Sequence, residues 1–371
     1  MTAASLRRTL SVARKEFLHM LRDPGTLFFA LAIPVLELFM LGYAIDTNVR
    51  HIRTVVLDEC RTQESRALLA AFENSDQFDV VELVDRGDDL TQRIVAGSAH
   101  VGIKIPEDYS RRMAAGETSQ VLVLVDGSES SVAAAALNVS SSLALQESLR
   151  QVLADRPLPV EVRPRVLFNP DTRTANFFIP GLLVFLCQMM ASMLTANAIV
   201  REKELGTLEQ LFMTPVRPGE LMVGKVVPYF VLSFVQFLTI TALMWTVFRV
   251  PIAGSLLLLL AINVPFVLAA LSIGLAISAK SHSRDEAMQK VMGTVLPCVF
   301  LSGYIFPVES MPAAVRPIAS VLPTTWMMDA ARGVILRGAG WAELWPHAVI
   351  LSGMAAVLLA VAAVSFKKRV S

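Results

Sequence analysis

The segment GELMVGKV, residues 219–226, could do chemistry, because it matches all but the last position of the phosphate-binding signature G-x-x-x-x-G-K-[ST]. In that motif the lysine reaches the phosphates and the final hydroxyl binds magnesium, but Val226 stands at the final position. A phosphate loop also follows a buried strand, whereas this segment follows a proline-rich turn and runs directly into an apolar stretch. We therefore predict no nucleotide site here and no ATPase activity in this chain.

A second candidate site is the segment DGSES, residues 126–130, which offers hydroxyl and carboxylate groups. It lacks the G-x-S-x-G sequence of a nucleophile elbow, and neither His51 nor His100 has a recognisable triad context. The three cysteines are too far apart in the chain for a metal-ligand spacing. The sequence therefore predicts no catalytic residues, no metal site and no cofactor bound by this chain.

The composition indicates a membrane protein. Of 371 residues, 54% are hydrophobic and only 18% are charged, against about a quarter charged in soluble proteins. A helix needs about 20 apolar residues to cross the hydrocarbon core. Six stretches qualify, although the fifth is short and contains Pro297. They lie at residues 26–45, 175–200, 226–248, 255–279, from Val291 onward, and 348–366.

The Lys and Arg residues of the short connections fall on one side of the membrane if six helices alternate. They precede the first stretch and follow the second, fourth and sixth. Short loops rich in Lys and Arg stay in the cytoplasm, so we predict that both termini are cytoplasmic. The basic start of the chain could also belong to a cleavable signal peptide, but its apolar stretch is longer than the usual 7 to 15 residues, which favours a retained anchor.

Residues 46–173 are polar and alternate short apolar runs with helical patterns. The runs IRTVVLD, FDVVELV, HVGIKIP and QVLVLVD predict four strands, and helices are predicted between and after them. The chain is thus predicted to be an α-helical polytopic membrane protein of six transmembrane helices with an inserted α/β extracytoplasmic domain. Its three parts are residues 1–45 with the first helix, the domain at 46–173, and a five-helix transmembrane region at 174–371.

The segment REKELGTLEQLFMTP, from Arg201, is amphipathic, with leucines at helical spacing on one side. Thr207 and Gln210 form a capping-box pattern, and Gly206 lets the helix break and restart before them. An interfacial helix on lipid headgroups is one interpretation. Because acids nearly balance bases, a protein partner is favoured over anionic lipid. We call residues 201–218 the coupling segment.

Polar residues inside the apolar stretches are candidates for a substrate path. Glu37 is a carboxylate in the first stretch, where a charge costs on the order of 3 kcal/mol, so it should face the bundle interior or be protonated. Amides are weaker candidates, since they often join helices through hydrogen bonds. The amide residues are Gln188, Asn197, Gln236 and Asn263.

Residues 302–338 contain four prolines and cannot form one straight helix. Pro307, Pro323 and Trp326 mark an interfacial or re-entrant turn there, with the Trp ring near the headgroups. We predict that this turn is an external gate.

Long motifs resemble the permease subunits of ABC-2 type exporters, in the branch with a large periplasmic domain after the first helix. They are REKELGTLEQLFMTPVRPGELMVGKVVPY, LSGYIFPVESMP, LPTTWMMDAARGVILRG and the N-terminal RKEFLHMLRDPGTLFFALAIPVLELFMLGYAI. The resemblance covers nearly the whole chain. It implies six spans, a dimer with a second permease copy or paralogue, a bacterial inner-membrane location, and a separate cytoplasmic ATPase that binds ATP and magnesium.

The resemblance also implies that the coupling segment contacts the ATPase, that a periplasmic adaptor and an outer-membrane channel can take part, and that a hydrophobic or amphiphilic substrate such as a drug leaves the cytoplasm. By this likeness the contact residues are Arg201, Glu202, Lys203, Glu204, Gly206, Thr207, Glu209 and Gln210. Glu37 departs from the family pattern, where a neutral amide is expected.

Two other classes of protein stay open as alternatives. A secondary transporter would need ion sites at the bilayer midplane and commonly repeated halves, and this chain has a single intramembrane carboxylate and no visible repeat. A membrane-anchored receptor acting through its periplasmic domain would not need six spans.

Overall fold

The computed structural model describes residues 3–44, 51–128, 130–153, 168–170, 173–206 and 218–367. Two compact units are present. One combines Met1–Ile45 with Val166–Ser371, and the other is Asp46–Arg165. The predicted boundary at residue 173 directly precedes the helix Thr174–Glu204.

The helices and strands follow one another in this order: α1 (Ala3–Leu21), α2 (Pro24–Ala44), β1 (Ile52–Asp58), α3 (Gln63–Glu73), β2 (Phe78–Leu83), α4 (Gly87–Val95), β3 (Val101–Ile105), α5 (Tyr109–Ala114), β4 (Leu122–Val125), α6 (Ser130–Leu153), α7 (Thr174–Glu204), α8 (Pro218–Thr246), α9 (Leu256–Ala279), α10 (Arg284–Leu301), a 3₁₀ turn (Val308–Ser310), α11 (Arg316–Ser320), α12 (Pro323–Arg332), a π turn (Gly333–Arg337) and α13 (Trp341–Lys367).

Five helices in the described part of the chain are long and apolar enough to cross a membrane. They are Pro24–Tyr43, Thr174–Glu204, Gly219–Thr246, Leu256–Ala279 and Trp341–Ser365. The stretch predicted from Val291 lies in α10, an 18-residue helix that opens with the charged sequence Arg-Asp-Glu. The structure therefore supports a multi-pass protein with five candidate spans in the described residues, and the sixth span stays a prediction.

Helix α7 lies at the centre of the first unit, and much of its length is buried. It runs parallel to α9, because Ser192 Oγ donates to the Ala270 carbonyl at 3.0 Å and Thr195 Oγ1 donates to the Leu271 carbonyl at 3.1 Å. The two backbones are close at this crossing. A Cβ at Gly274 would lie well inside van der Waals contact of Thr195 Oγ1 and of the Ser192 carbonyl oxygen.

The second unit holds a four-stranded mixed sheet in the order β2-β1-β3-β4. Strand β1 pairs in parallel with β2 and with β3, and β4 pairs antiparallel to β3. Alternate residues of β1 point to opposite faces. Val56 packs with α3, α5 and α6, whereas Val55 and Leu57 pack with Leu90 of α4. The four strands and four helices expected between residues 52 and 154 are all present.

The segment between α10 and α13 is a series of short turns and helices, as its prolines predict. Pro307 precedes the 3₁₀ turn, and Pro323 occupies the first turn of α12, where a missing N–H costs nothing. Met328 of α12 and Tyr304 contact Gly181 near the start of α7. This segment therefore lies at the end of the bundle opposite the coupling segment.

Candidate functional site

Lys225, the lysine of the segment that resembles a phosphate loop, is buried in the first unit. Its Nζ lies 3.2 Å from Glu16 Oε1 and 2.6 Å from Glu202 Oε2, and its side chain is 3% exposed. Lys15 Nζ lies 3.6 Å from each of the same two carboxylates. The lysine is thus the buried counterion of two carboxylates on α1 and α7, and we call Glu16, Glu202 and Lys225 the buried ion triad.

One glycine of the same segment, Gly224, serves helix packing. A Cβ at Gly224 would lie 2.8 Å from Cβ of Val12, so α1 crosses α8 closely at this residue. One turn earlier, the Glu220 carboxylate accepts two hydrogen bonds from the Arg8 guanidinium, each 2.9 Å long. The segment therefore attaches α1 to α8. We call the end of the bundle where α1, the last turn of α7 and the first turns of α8 and α10 meet the basic end.

Arg201 connects the last turn of α7 to the start of α2. Its NH1 lies 3.0 Å from Asp23 Oδ2. Asp23 also accepts hydrogen bonds from the backbone N–H and hydroxyl of Thr26. The Thr26 N–H in particular, together with its hydroxyl and Arg201, holds the pKa of the Asp23 carboxyl below its usual value. Asp23 therefore stays ionised and continues to hold α7 beside α2.

Lys203 connects α7 to the end of α9. Its Nζ donates to the carbonyl oxygens of Ser278 at 2.6 Å, Ala279 at 3.1 Å and Ser281 at 3.2 Å. Carbonyls at a helix C-terminus lack intrahelical partners and carry partial negative charge, so an ammonium group satisfies both needs.

Glu204 connects α7 to α10. Its carboxylate lies 2.9 Å from Arg284 Nε and accepts the Arg284 backbone N–H at 2.8 Å. In the first turn of α10, the Glu286 carboxylate accepts hydrogen bonds from Lys290 Nζ, one turn farther along, and from the backbone N–H of His282. The start of α10 is thus held by two carboxylates, one from α7 and one from α10 itself.

The first four predicted coupling residues are therefore all paired within the chain. Gly206 follows them with φ of 65°, a left-handed conformation typical of glycine after a helix end, as its predicted role requires. Thr207, Glu209 and Gln210 lie outside the described residues. Contact between the coupling segment and an ATPase stays a prediction.

The predicted substrate-path residues lie at two levels of the bundle. Gln236 Nε2 donates to the Leu186 carbonyl at 3.3 Å, and the α7–α9 pairing places Asn263 beside the same turn of α7. Gln188 and Asn263 are fully buried, and among the described residues their amide atoms have no hydrogen-bond partner. We call Gln188, Gln236 and Asn263 the amide layer.

Glu37 lies on α2, apart from the three helices that carry the amide layer, and its side chain is half-buried. One of its carboxylate oxygens is buried without a partner in the described part of the chain. Asn197 is separate from the amide layer, because it lines a cavity nearer the basic end.

The opposite end of the bundle carries a second polar cluster around α12. Asp329 accepts from Arg337 at 2.7 Å and lies 2.8 Å from His347 Nε2. Arg332 donates to two carbonyls at the end of α10, and its guanidinium lies 3.9 Å from the Phe177 ring centroid. Trp326, a predicted gate residue, donates from Nε1 to the Ser320 carbonyl at 2.8 Å.

Sequence reasoning missed this cluster and the buried ion triad. Ionisable residues in an otherwise apolar segment were the available signal for Asp329 and Arg332, because such residues rarely lack a partner in a membrane protein. Glu16 and Asp23 had no comparable signal, since both lie in a charged part of the chain.

Comparison with known proteins identifies the family. Residues 24–364 match the family described as ABC-2 family transporter protein. The probable multidrug ABC transporter permease YbhS of Escherichia coli (strain K12) is 29% identical over 340 residues, which cover 90% of each chain. The probable multidrug ABC transporter permease YbhR of the same organism is 26% identical over 349 residues, 92% of this chain and 95% of the relative. The linearmycin resistance permease protein LnrN of Bacillus subtilis (strain 168) is 21% identical and covers 97% of this chain and 98% of the relative. Because the family match covers residues 24–364, well over half of the sequence, the chain belongs to the ABC-2 family of transporter permeases.

Proposed function

We propose that this chain is the membrane-spanning, non-catalytic subunit of an ATP-driven exporter and that a separate cytoplasmic ATPase drives it through the coupling segment. Membership of the ABC permease family implies such an ATPase partner. The position of the coupling segment directly after α7 supports its role as the contact, because force applied there acts on the most buried helix of the bundle.

The observation that carries this proposal is the set of contacts made by Arg201, Glu202, Lys203 and Glu204. One short stretch of chain is attached by its side chains to α2, to α1 and α8, to α9 and to α10, respectively. A displacement of this stretch must either break these contacts or move all five helices together. A segment that transmits conformational changes of an ATPase to the membrane helices requires such contacts.

In the proposed mechanism, ATP binding closes the ATPase dimer and displaces the coupling segments of two permease copies. The last turn of α7 then moves with the helix ends attached to it, and the path through the bundle opens toward the outside. Coupling requires the ATPase to bind the inward-open and outward-open states with different affinity. The segment between α10 and α13, which contains Pro307, Pro323 and Trp326, forms the external gate.

We also propose the orientation and the partners. The basic end faces the cytoplasm of a bacterial cell, both termini are cytoplasmic, and α10 serves as the sixth span. The clustering of Arg8, Lys15, Arg201, Lys225 and Arg284 at this end supports that orientation, because basic residues favour the cytoplasmic side. The sheet-containing unit is then periplasmic and suited to docking an adaptor that leads to an outer-membrane channel.

The proposed substrate is hydrophobic or amphiphilic. Two relatives are named as probable multidrug ABC transporter permeases, and a third is named as a linearmycin resistance permease protein. The substrate path passes Asn197 near the basic end and then Glu37, Gln188 and Asn263, whose buried polar atoms are available for transient hydrogen bonds.

Removing two polar side chains of the coupling segment should uncouple the permease without unfolding it. We expect Glu209→Ala with Gln210→Ala to reduce co-purification of the ATPase, and transport, by about tenfold, equivalent to about 1.4 kcal/mol of binding. These positions are better targets than Glu202, whose loss would disturb the buried ion triad. Pull-down of the tagged permease and export by intact cells provide the measurement.

The matched control is Glu73→Ala with Gln92→Ala, which removes the same two side-chain types from exposed positions of the sheet-containing unit. This control should retain the ATPase and transport. If the coupling-segment variant keeps full ATPase binding and transport, the assigned contact is wrong.

A further inference from the structure

A cavity of about 660 Å³ lies beside the buried ion triad, between α1, α2, α7, α8 and α10. Its volume is within the range of about 300–1,000 Å³ that is typical of sites for drug-sized ligands. Phe29 and Leu205, which are 61% and 63% exposed, line its edge, so the cavity reaches the surface of the bundle.

The inner wall of the cavity is apolar and adaptable. Met190 and Met193 of α7 face it together with Met288 of α10, and Leu194 and Tyr229 complete this wall. Methionine is unbranched and polarisable, so several methionines together accommodate apolar groups of different shapes. Such a wall selects for apolar bulk rather than for one particular structure.

The charged groups that line the cavity are already neutralised by partners within the protein. Asp23 is paired with Arg201 at 3.0 Å, and Arg284 is paired with Glu204 at 2.9 Å. The remaining two carboxylates, of Glu16 and Glu202, share Lys225 and the half-exposed Lys15. A charged ligand would therefore have to compete with an existing ion pair, at the cost of its own desolvation.

Asn197 supplies an uncharged hydrogen-bonding group in this cavity. It lies on α7 one turn before Arg201, and its amide makes no hydrogen bond to other residues that the structure describes. An amide offers both donors and an acceptor, so it can bind a hydroxyl, ether, ketone or amide group of a ligand. The cavity therefore favours ligands whose polar groups are uncharged.

We propose that the cavity binds one drug-sized amphiphile whose polar end is uncharged and hydrogen-bonds to Asn197 while its apolar part packs against the methionine wall. This site rests on the proposed function, and it defines the class of substrate that enters from the cytoplasmic side. The cavity lies next to the helix ends that the last turn of α7 contacts, because Arg201, Glu202 and Arg284 line it.

Photolabelling tests this site without any need for transport. The purified permease in lipid nanodiscs is labelled with a diazirine-bearing octanol and, separately, with the diazirine-bearing octyl trimethylammonium ion of the same chain length. We expect saturable octanol adducts in peptides that contain residues 190–205 and 284–292, and at least about tenfold weaker labelling by the cation. Asn197→Leu should raise the half-saturating octanol concentration by about 3- to 10-fold, the loss of one hydrogen bond.

Two tryptophan variants on α10 form the matched pair. Met288→Trp fills the cavity and should abolish the saturable adducts, whereas Met292→Trp, one turn away on an exposed position outside the cavity, should leave them within twofold. Met193→Trp fills the cavity from α7 and replaces Met288→Trp if that variant does not fold. Equal labelling of the filling variant and the Met292→Trp variant, or equal labelling by the alcohol and the cation, would overturn the proposal.

Competition experiments distinguish two kinds of neutral amphiphile, a drug-sized molecule and a membrane lipid. Excess of a single-chain neutral alcohol should displace the label, whereas a neutral diacylglycerol should not, because two acyl chains exceed the cavity. Displacement by diacylglycerol alone would overturn the assignment to a drug-sized ligand. If wild-type permease retains its ATPase but shows no saturable labelling, this site fails and the proposed function stands; if the ATPase is not retained, the proposed function itself fails.

Discussion

Lys225→Ala should lower the free energy of unfolding of the helical bundle by about 3–5 kcal/mol, because it leaves two buried carboxylates without their counterion. The Lys225 side chain is 3% exposed, and the carboxylates of Glu16 and Glu202 are 7% and 12% exposed, so all three charged groups are largely removed from water. Lys15 cannot compensate, since its Nζ is 3.6 Å from each carboxylate and half exposed. Thermal unfolding in detergent, followed by reaction of the buried Cys187 and Cys298 with a thiol-specific dye, measures the change.

The control is Lys290→Ala, which removes an exposed ammonium group paired with Glu286 on the surface of α10. Exposed ion pairs contribute only about 0–1 kcal/mol, so this variant should unfold close to the wild-type temperature. The triple variant Lys225→Met, Glu16→Gln, Glu202→Gln should recover much of the lost stability, because neutral replacement of a whole buried ion group is often tolerated. If Lys225→Ala unfolds at the wild-type temperature, the triad does not stabilise this end of the bundle.

The elements of this chain follow from local sequence pattern. The strand Ile52–Asp58 and the helix Leu256–Ala279 have the predicted extents within a residue, because alternation of Val and Ile or a long uncharged run is contained in the element itself. The short α10 was harder to interpret, since its charged first turn and internal Pro297 weaken the apolar pattern. The length and hydropathy of a segment therefore predict that a membrane-spanning helix exists there. They are ambiguous for a helix that is partly charged.

The role of Lys225 could not be predicted, because its partner Glu16 is 209 residues away in the chain. Local spacing gave only the resemblance to a phosphate loop, whereas the structure shows Lys225 as the counterion of two buried carboxylates. Within the motif, Gly224 allows a close contact with Val12, while Glu220 and Lys225 form ion pairs with Arg8 and Glu202. Long-range ion pairs leave no local period, so only the three-dimensional structure reveals them.

The candidate substrate path stays a prediction. Polar residue type within an apolar stretch singled out Glu37, Gln188 and Asn263, and each of them has a buried polar atom without a hydrogen-bond partner among the described residues. The structure places Asn197 in a cavity with a wall of methionines. The sequence does not single these methionines out, because methionine is an ordinary apolar residue in a membrane helix. The shape of an internal cavity depends on the packing of five helices and is not encoded in any one of them.

Gly274→Ala should destabilise the bundle by about 1–3 kcal/mol or more, because the new methyl group would overlap the backbone of α7. The Ser192 carbonyl oxygen that it would meet cannot rotate away, and Thr195 Oγ1 is held there by hydrogen bonds to the Ala191 and Leu271 carbonyls. The two helices would have to separate, and the hydrogen bonds of Ser192 and Thr195 to α9 would lengthen. The same dye-reaction assay measures the effect.

Gly293→Ala on α10 separates this steric effect from the general consequence of adding a methyl group to a helix. No atom of the described residues lies within 4 Å of a Cβ at residue 293, so this variant should be neutral or more stable by up to about 1 kcal/mol, the helix-propensity difference between glycine and alanine. Opposite signs for the two variants would establish that close contact of α7 and α9 requires a glycine. Equal stability of both would contradict that contact, and the attachment of Lys203 to the end of α9 would lose its rigid support.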